Sequence, residues 1–543
     1  MTTSRDRKAR GQGIRQSMSS LHTWVGLLLG WFLYAMFLTG TVSYFKDELS
    51  QWMRPELARL AELPDPAVVA QRVADELRTV AAGSSQWSLR LPDARNNSVY
   101  AFWRSGGRGQ GQGQAQRSFG EGHFDPATGQ KVASRETQGG DFFLRFHFQF
   151  HYMPVFWGRW IAGLAAMFML IAIVSGVITH KKIFVDFFTF RWGKGQRSWL
   201  DAHNALSVFG LPFHFMITYT GLVTMMAMYM PWGDTAAFKN PAERQQLQAE
   251  VSVFLPPGRP SGQKAELASV EDMVRQAQAR WGRDDVGRVT AVHPGDASAR
   301  VAVARGEAGR ISMSPQYMEF DGVSGKLLSV RDSVGAAAET RGVFYALHLG
   351  RFSDTALRWL YFIVSLAGTA MVGTGLVMWT VKRRQKLADP SRFHFGFYLV
   401  ERLNIATIAG LSIAMTAMLW GNRLLPSPLA ARADWEIHVF FLVWAAALLH
   451  AFLRPAKSAW IEQLWTGAAL LAVLPLLNAL TTPRPLWRSL IDGDLVFAGI
   501  DLMCLALAAL HGVLAWRVMR GVRSPSKEPR ATSATVAASG GVA

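Results

Sequence analysis

The chain has 543 residues, half of them hydrophobic and only 18% charged, where a soluble domain would carry about a quarter. Its 33 Phe, 20 Trp and 10 Tyr exclude a disordered chain, and the single Cys504 excludes an intrachain disulfide, a CxxC site and a cysteine-ligated cluster. A formal net charge of +18 points either to nucleic acid or to the basic loops of a membrane protein, and the positions of the charges decide between them.

In chain order, residues 1–23 form a basic tail and 24–45 a first apolar span. That span is too long for a signal peptide, and Thr41-Val42-Ser43-Tyr44-Phe45 is a poor cleavage site, so it reads as a retained helix. Segment 46–150 follows, then a span at 157–179, a basic loop at 180–204, a span at 205–230, a second long segment at 234–350 and a span at 357–381. After the loop at 382–398, four more spans run at 399–422, 437–453, 463–481 and 495–516, with a tail at 517–543. Each span lies near the roughly 20 residues that a hydrocarbon core requires. The expected fold class is therefore a mainly α-helical polytopic membrane protein with eight transmembrane helices.

Basic residues set the orientation. Arg5, Arg7, Lys8, Arg10 and Arg15 lie in the N-terminal tail, and Lys181, Lys182, Arg191, Lys194 and Arg197 in the first loop. Lys382, Arg383, Arg384, Lys386 and Arg392 lie in the next loop, then Arg454 and Lys457, then Arg517, Arg520, Arg523, Lys527 and Arg530. With eight spans all five groups share one face, which the positive-inside rule makes cytoplasmic, with both termini there. Charge spread over five loops removes the support for nucleic acid. The two long segments then lie outside. Each begins helix-like (Ala67–Val73, Val270–Ala277) and continues with strand-like alternation (Trp87–Leu91, Arg300–Ala304). Residues 105–116 read as a mobile hairpin tip, and the tail after 524 as disordered.

The first four spans form a duplication. His22 precedes Thr39-Gly40 as His203 precedes Thr220-Gly221, with 18 residues from His to Gly in both. The outer segments end in Phe124-Asp125-Pro126-Ala127-Thr128-Gly129 and Phe320-Asp321-Gly322-Val323-Ser324-Gly325. Each is followed by a His-containing aromatic stretch, His147 to His151 in one and His348 in the other, and then by Arg159-Trp160 or Arg358-Trp359. Gly176 and His180 match Gly375 and Trp379. Two units of equal topology imply a pseudo-twofold axis along the membrane normal.

That axis sets His22 opposite His203 near the cytoplasmic boundary, and His348 opposite His147 or His151 near the outer one. Facing imidazoles across a four-helix core are a means of holding a haem iron axially. His203 and His214 are 11 apart, about 16 Å along one face of a straight helix. His214, whose repeat position is Leu33, reads as an alternative outer ligand, a group lining the route between haems, or a hydrogen-bonded core residue. His180 is a reserve cytoplasmic ligand without a repeat partner. His438, His450 and His511 read as structural, Asp501 as paired with an unnamed polar group, and His123, His293 and His394 as surface residues. Arg90, Trp103 and Arg104 read as a solvated outer strand face, or as contacts for an anionic chelate. There is no P-loop, G-x-S-x-G, HExxH or Rossmann fingerprint, so electrons would come from a separate cytoplasmic donor or a membrane quinol.

The order of Leu21-His22-Thr23-Trp24, an outer segment ending in Asp-x-x-[Thr/Ser]-Gly, Gly158-Arg159-Trp160, Leu200-Asp201-Ala202-His203 and Leu347-His348-Leu349-Gly350 resembles the PepSY-associated transmembrane proteins over residues 15–385. These are bacterial inner-membrane proteins, often iron-regulated, and the ferrioxamine-type ferric-siderophore reductases among them carry b-type haem. The resemblance implies a duplicated four-helix haem-binding core, two periplasmic α+β PepSY-like domains, haem-ligand positions at His22, His203, His348 and His151 or His147, and two haems b. The expected function is a di-haem ferric (siderophore) reductase of the bacterial inner membrane, passing electrons to a periplasmic ferric chelate. An iron-chelate permease and a PepSY-type sensor or peptide-binding module are the alternatives. The four C-terminal spans depart from the four-span members.

Overall fold

The computed structural model describes residues 13–58, 60, 62–105, 118–180, 182–191, 193–253, 255, 258–387, 389 and 393–521. The expectations for a hairpin tip at 105–116 and for the tail after 524 fall outside these residues, Ser105 apart, as do Arg5, Arg7, Lys8, Arg10, Lys181, Arg392, Arg523, Lys527 and Arg530. The chain is a multi-pass, mostly helical membrane protein. Six helices are long and apolar enough to cross a membrane: Val155–Thr179, Thr355–Arg384, Phe395–Leu424, Arg432–Leu453, Ala456–Thr481 and Leu495–Arg520. Two bent pairs, Ile14–Leu28 with Gly30–Ser43 and Gln196–Phe209 with Leu211–Thr224, bring the number to eight if each is one span.

The bends answer to the repeat. They measure 66° and 68°, and they fall at Leu29 and Gly210, which are equivalent positions in the two units. The hinge backbones are nearly the same, φ −111°, ψ 3° at Leu29 and φ −102°, ψ 11° at Gly210. Span three has Pro212 just past its hinge, where the missing N–H breaks the helical ladder at no extra cost. The expectation of a straight helix carrying His203 and His214 on one face is corrected by this bend.

The sixth span, expected at 437–453, begins at Arg432. Charge marked its end in the sequence, but Arg432 and Glu436 neutralise one another at 2.6 Å, both fully buried. Spans one and three likewise begin earlier than expected, at Ile14 rather than residue 24 and at Gln196 rather than residue 205.

The two long segments do not build separate sheets. β1 (Ser84–Arg90), β2 (Val99–Ser105) and β3 (Ser118–Phe124) join β4 (Val286–Val292), β5 (Arg300–Arg305), β6 (Tyr317–Asp321) and β7 (Leu327–Arg331) in one antiparallel sheet, ordered β3-β2-β1-β4-β5-β6-β7. The seam is β1 against β4, with Leu89 opposite Val289 and Ser88 bonded to Thr290 at 2.9 Å. Helices Pro66–Val80 and Val270–Trp281 cover one face, burying Val73, Leu77, Met273 and Val274 on Trp87, Leu89, Val289 and Phe320. The matching Asp-x-x-[Thr/Ser]-Gly turns close with the Asp125 and Asp321 carboxylates accepting backbone N–H groups, and with Gly129 and Gly325 at φ +77° and +69°, where a Cβ would be strained.

The C-terminal spans lock onto the neck of this lobe. The Trp52 indole donates to Asp501 at 3.0 Å and lies under the Arg423 guanidinium at 3.6 Å. Asn478 donates to Asp501 at 3.1 Å, so the partners sought for Asp501 are Trp52 and Asn478. Asn422 joins Glu436 to the Met53 carbonyl, and Arg432 reaches the Glu136 carbonyl. Every member of this network is bonded, which is the condition for burying such groups.

Candidate paired-histidine sites

His22 lies in the first half of span one and His203 in the first half of span three, and their ring centres are 6.2 Å apart. His147, in helix Asp141–Gln149, and His348, in helix Ala336–Leu349, also have ring centres 6.2 Å apart. The structure thus brings repeat-equivalent histidines together at both ends of the core. It pairs His147, not His151, with His348. His151 instead stacks on Phe441 of span six at 5.6 Å, because the chain turns sharply at Phe150, φ +55°, and the expected i, i+4 face ends there.

All four rings are held alike. Nδ1 of His22 is 2.8 Å from the Ala172 carbonyl, Nδ1 of His203 2.9 Å from that of Met371, Nδ1 of His147 2.6 Å from that of Met36, and Nδ1 of His348 3.0 Å from that of Ile217. A carbonyl only accepts, so Nδ1 carries the hydrogen and Nε2 keeps its lone pair. Among the described residues no Nε2 of the four has a hydrogen-bond partner.

Each accepting carbonyl is followed three residues later by Ser or Thr and four later by Gly: Thr39-Gly40, Ser175-Gly176, Thr220-Gly221 and Thr374-Gly375. The ring lies flat where the glycine has no side chain. A Cβ at Gly40 would come 2.7 Å from His147, at Gly221 2.9 Å from His348, and at Gly176 and Gly375 3.2 Å from His22 and His203. Sequence reasoning found the histidines and glycines but not this four-fold cradle. The signal was present in the four Ser/Thr-Gly dipeptides, of which only two were matched.

A metal held between two imidazoles at bonds of about 2 Å sets their ring centres about 6 Å apart, since a ring nitrogen lies roughly 1 Å from its ring centre. Both pairs meet that distance. Two facing imidazoles would suit a metal whose other positions are filled by a flat macrocycle, and no group of three or more His, Cys, Asp or Glu is placed to hold a bare ion among the described residues.

His214 joins neither pair. It is 1% exposed, with Nε2 3.3 Å from the Val364 carbonyl, Nδ1 without a partner and the Phe37 ring edge-on at 6.2 Å. A Cβ at Gly368 would meet His214 as one at Gly375 would meet His203. Two helical turns, about 10 Å, separate these glycines, and the same interval separates His214 from Gly221 beside His348. His214 therefore lies midway between the pairs.

The other histidines are bound elsewhere. His180 faces Asp186 at 3.8 Å, His450 bonds Glu462 at 2.7 Å, His511 bonds Ser412 at 2.9 Å, and His438 bonds the Tyr152 hydroxyl. His394 caps span five by accepting from Phe397, and His293 bonds the Gly258 carbonyl. His123 is not a surface residue. It is half-buried against Ser98, and burial with the Arg54 cation pushes it down to about 3. Trp103, expected at the surface, belongs to the lobe's core with Lys131 over its ring, while Arg90 is engaged by Asp93 at 3.1 Å. Arg104 lies over Phe119. Near the outer pair, burial pushes the Asp47 carboxyl up, but Lys46, Arg90 and Arg95 together hold it well below the usual carboxylate range.

Against known sequences, the profile of the PepSY-associated TM region matches residues 19–382, which include nearly all of the four core spans, every strand of the sheet and all four paired histidines. An uncharacterized protein of Pseudomonas aeruginosa is 27% identical over 388 residues, 69% of this chain and 94% of its own length.

Proposed function

The chain belongs to the family of PepSY-associated transmembrane regions, and we propose that it is a di-haem b-type ferric reductase of the bacterial inner membrane that passes electrons outward to a periplasmic ferric chelate. The observation that carries this reading is the pair of facing imidazoles at each end of the core, 6.2 Å apart, every ring tied by Nδ1 to a carbonyl. In this reading His22 and His203 hold the inner haem, and His147 and His348 the outer one.

When bound, haem iron supplies reversible one-electron exchange. The chain supplies the rest. The carbonyl bonds fix the ring tautomer and orientation, and they raise the basicity of Nε2. Gly40, Gly176, Gly221 and Gly375 let the rings lie against their helices, and the buried His214 occupies the interval between the pairs. Both termini lie in the cytoplasm in this reading, so a cytoplasmic donor or a quinol meets the His22 end and a ferric siderophore or similar chelate meets the lobe.

The test is anaerobic. Protein reduced in detergent and mixed with a ferric chelate should lose its reduced b-type spectrum as a ferrous trap develops colour. Haem that stays reduced in the presence of every chelate class would refute the reductase reading.

A further inference from the structure

Arg402 is a buried cation without a counter-charge among the described residues. It lies on span five, is 5% exposed, and its Nε and Nη1 have no hydrogen-bond partner. No carboxylate lies within ion-pair distance of it among the described residues. Its neighbour is the face of Tyr398, 4.6 Å from the guanidinium carbon, and the Tyr398 hydroxyl is itself tied to the Phe452 carbonyl at 2.6 Å. Glu401, next in sequence, is engaged by Arg384, and Glu462 by Arg454 at 2.5 Å and His450 at 2.7 Å. An uncompensated buried guanidinium costs several kcal/mol, so the site calls for an anion.

A second feature points to the same place. Span seven starts at Ala456 after Pro455, and no side chain caps it. Its first amides have no intrahelical acceptor and carry the positive end of a 26-residue helix. Spans five and seven start on the same face and run in the same direction. Ile405 and Ala459 share one small apolar cluster, flanked by Ala456 and Trp460. One turn back along each helix lie Arg402 and Ala456, so Arg402 is level with the open turn, and its guanidinium lies over Tyr398, toward the start of span five. Lys457 is exposed beside it, and Phe395, Leu449 and Leu453 present apolar side chains at the same boundary.

We propose that Arg402 and the first turn of span seven bind the phosphate of an anionic phospholipid from the leaflet on the basic face, with its acyl chains along Phe395, Leu449 and Leu453. Guanidinium and backbone N–H groups are the donors that recognise phosphate, and basic pockets between spans are where anionic head groups bind. A free phosphate would use the same donors, but it would leave the exposed apolar rim unexplained. The site lies outside the matched core, so it stands or falls separately from the haem reading.

The experiment compares the thermal unfolding midpoint of the full chain in phosphatidylglycerol and phosphatidylcholine nanodiscs, and in detergent with and without inorganic phosphate. The wild type should gain several degrees in phosphatidylglycerol and nothing from inorganic phosphate. Arg402→Leu should match or exceed the wild type in phosphatidylcholine, because an unpaired buried charge is removed, and it should gain nothing in phosphatidylglycerol. Arg402→Gln, closer in shape, should lose the same gain, and Lys457→Gln should lose part of it. An equal gain in both Arg402 variants, or none in the wild type, overturns the site. A gain from inorganic phosphate equal to that from phosphatidylglycerol overturns the lipid assignment.

Discussion

Replacing Gly40 by Ala should remove the outer haem and leave the inner one. The added Cβ would stand 2.7 Å from Nδ1 and 2.8 Å from Cε1 of His147, against ordinary contacts of about 3.5–4.0 Å. The ring must retreat by about 0.8 Å or more, whereas a metal–nitrogen bond tolerates about 0.2 Å. The retreat also lengthens the 2.6 Å bond to the Met36 carbonyl to as much as about 3.4 Å, beyond the usual range of about 2.7–3.2 Å. Ala is favoured over Gly in a helix by about 1 kcal/mol, so lost helix stability cannot explain the result. Gly26→Ala, in the first half of the same span with nothing within 4 Å, is the control. Haem per chain, measured as the pyridine haemochrome, should fall from two to one in the first variant and stay at two in the second. Two haems with an unchanged spectrum in Gly40→Ala would refute the cradle argument.

Other outcomes follow from the same geometry. His147→Ala should lose one haem while His151→Ala keeps both, read from haem content and the b-type spectrum. His123, held near 3 in the folded lobe, binds a proton more readily once unfolded, so stability present above pH 6.5 is lost as the pH falls from there toward 3. The ceiling is about 1.4 kcal/mol per pH unit, and His123→Asn should flatten the denaturation midpoint between pH 6.5 and 5. Arg432→Met strands the buried Glu436 carboxylate and should cost about 3–5 kcal/mol, while Arg432→Met with Glu436→Leu should recover most of it in detergent unfolding.

The duplication was legible because it repeats chemistry in a fixed order: His, then Gly 18 residues on, then Asp-x-x-[Thr/Ser]-Gly, then His. It placed His22 opposite His203 and His348 opposite His147 or His151, and the rings of His22 and His203, and of His147 and His348, do lie 6.2 Å apart. The choice of His147 over His151 was not legible, since it depends on the positive φ at Phe150 rather than on residue type. Nor was the bend at Leu29, where neither Pro nor Gly marks the hinge residue itself and only its repeat partner Gly210 carries a signal. The single sheet was hidden because the β1–β4 seam joins strands some 200 residues apart, and local alternation carries no information about pairing. Arg432 and Glu436 concealed the start of span six, because a sequence count scores charges singly and the fold cancels them in pairs.

The central claim rests on four histidines, and the haem-to-chain ratio of the purified protein tests it most directly. Protein made with haem in excess should carry two b-type haems per chain, and one in His203→Ala. A colourless, haem-free preparation, or a full complement retained in His203→Ala, would contradict the account.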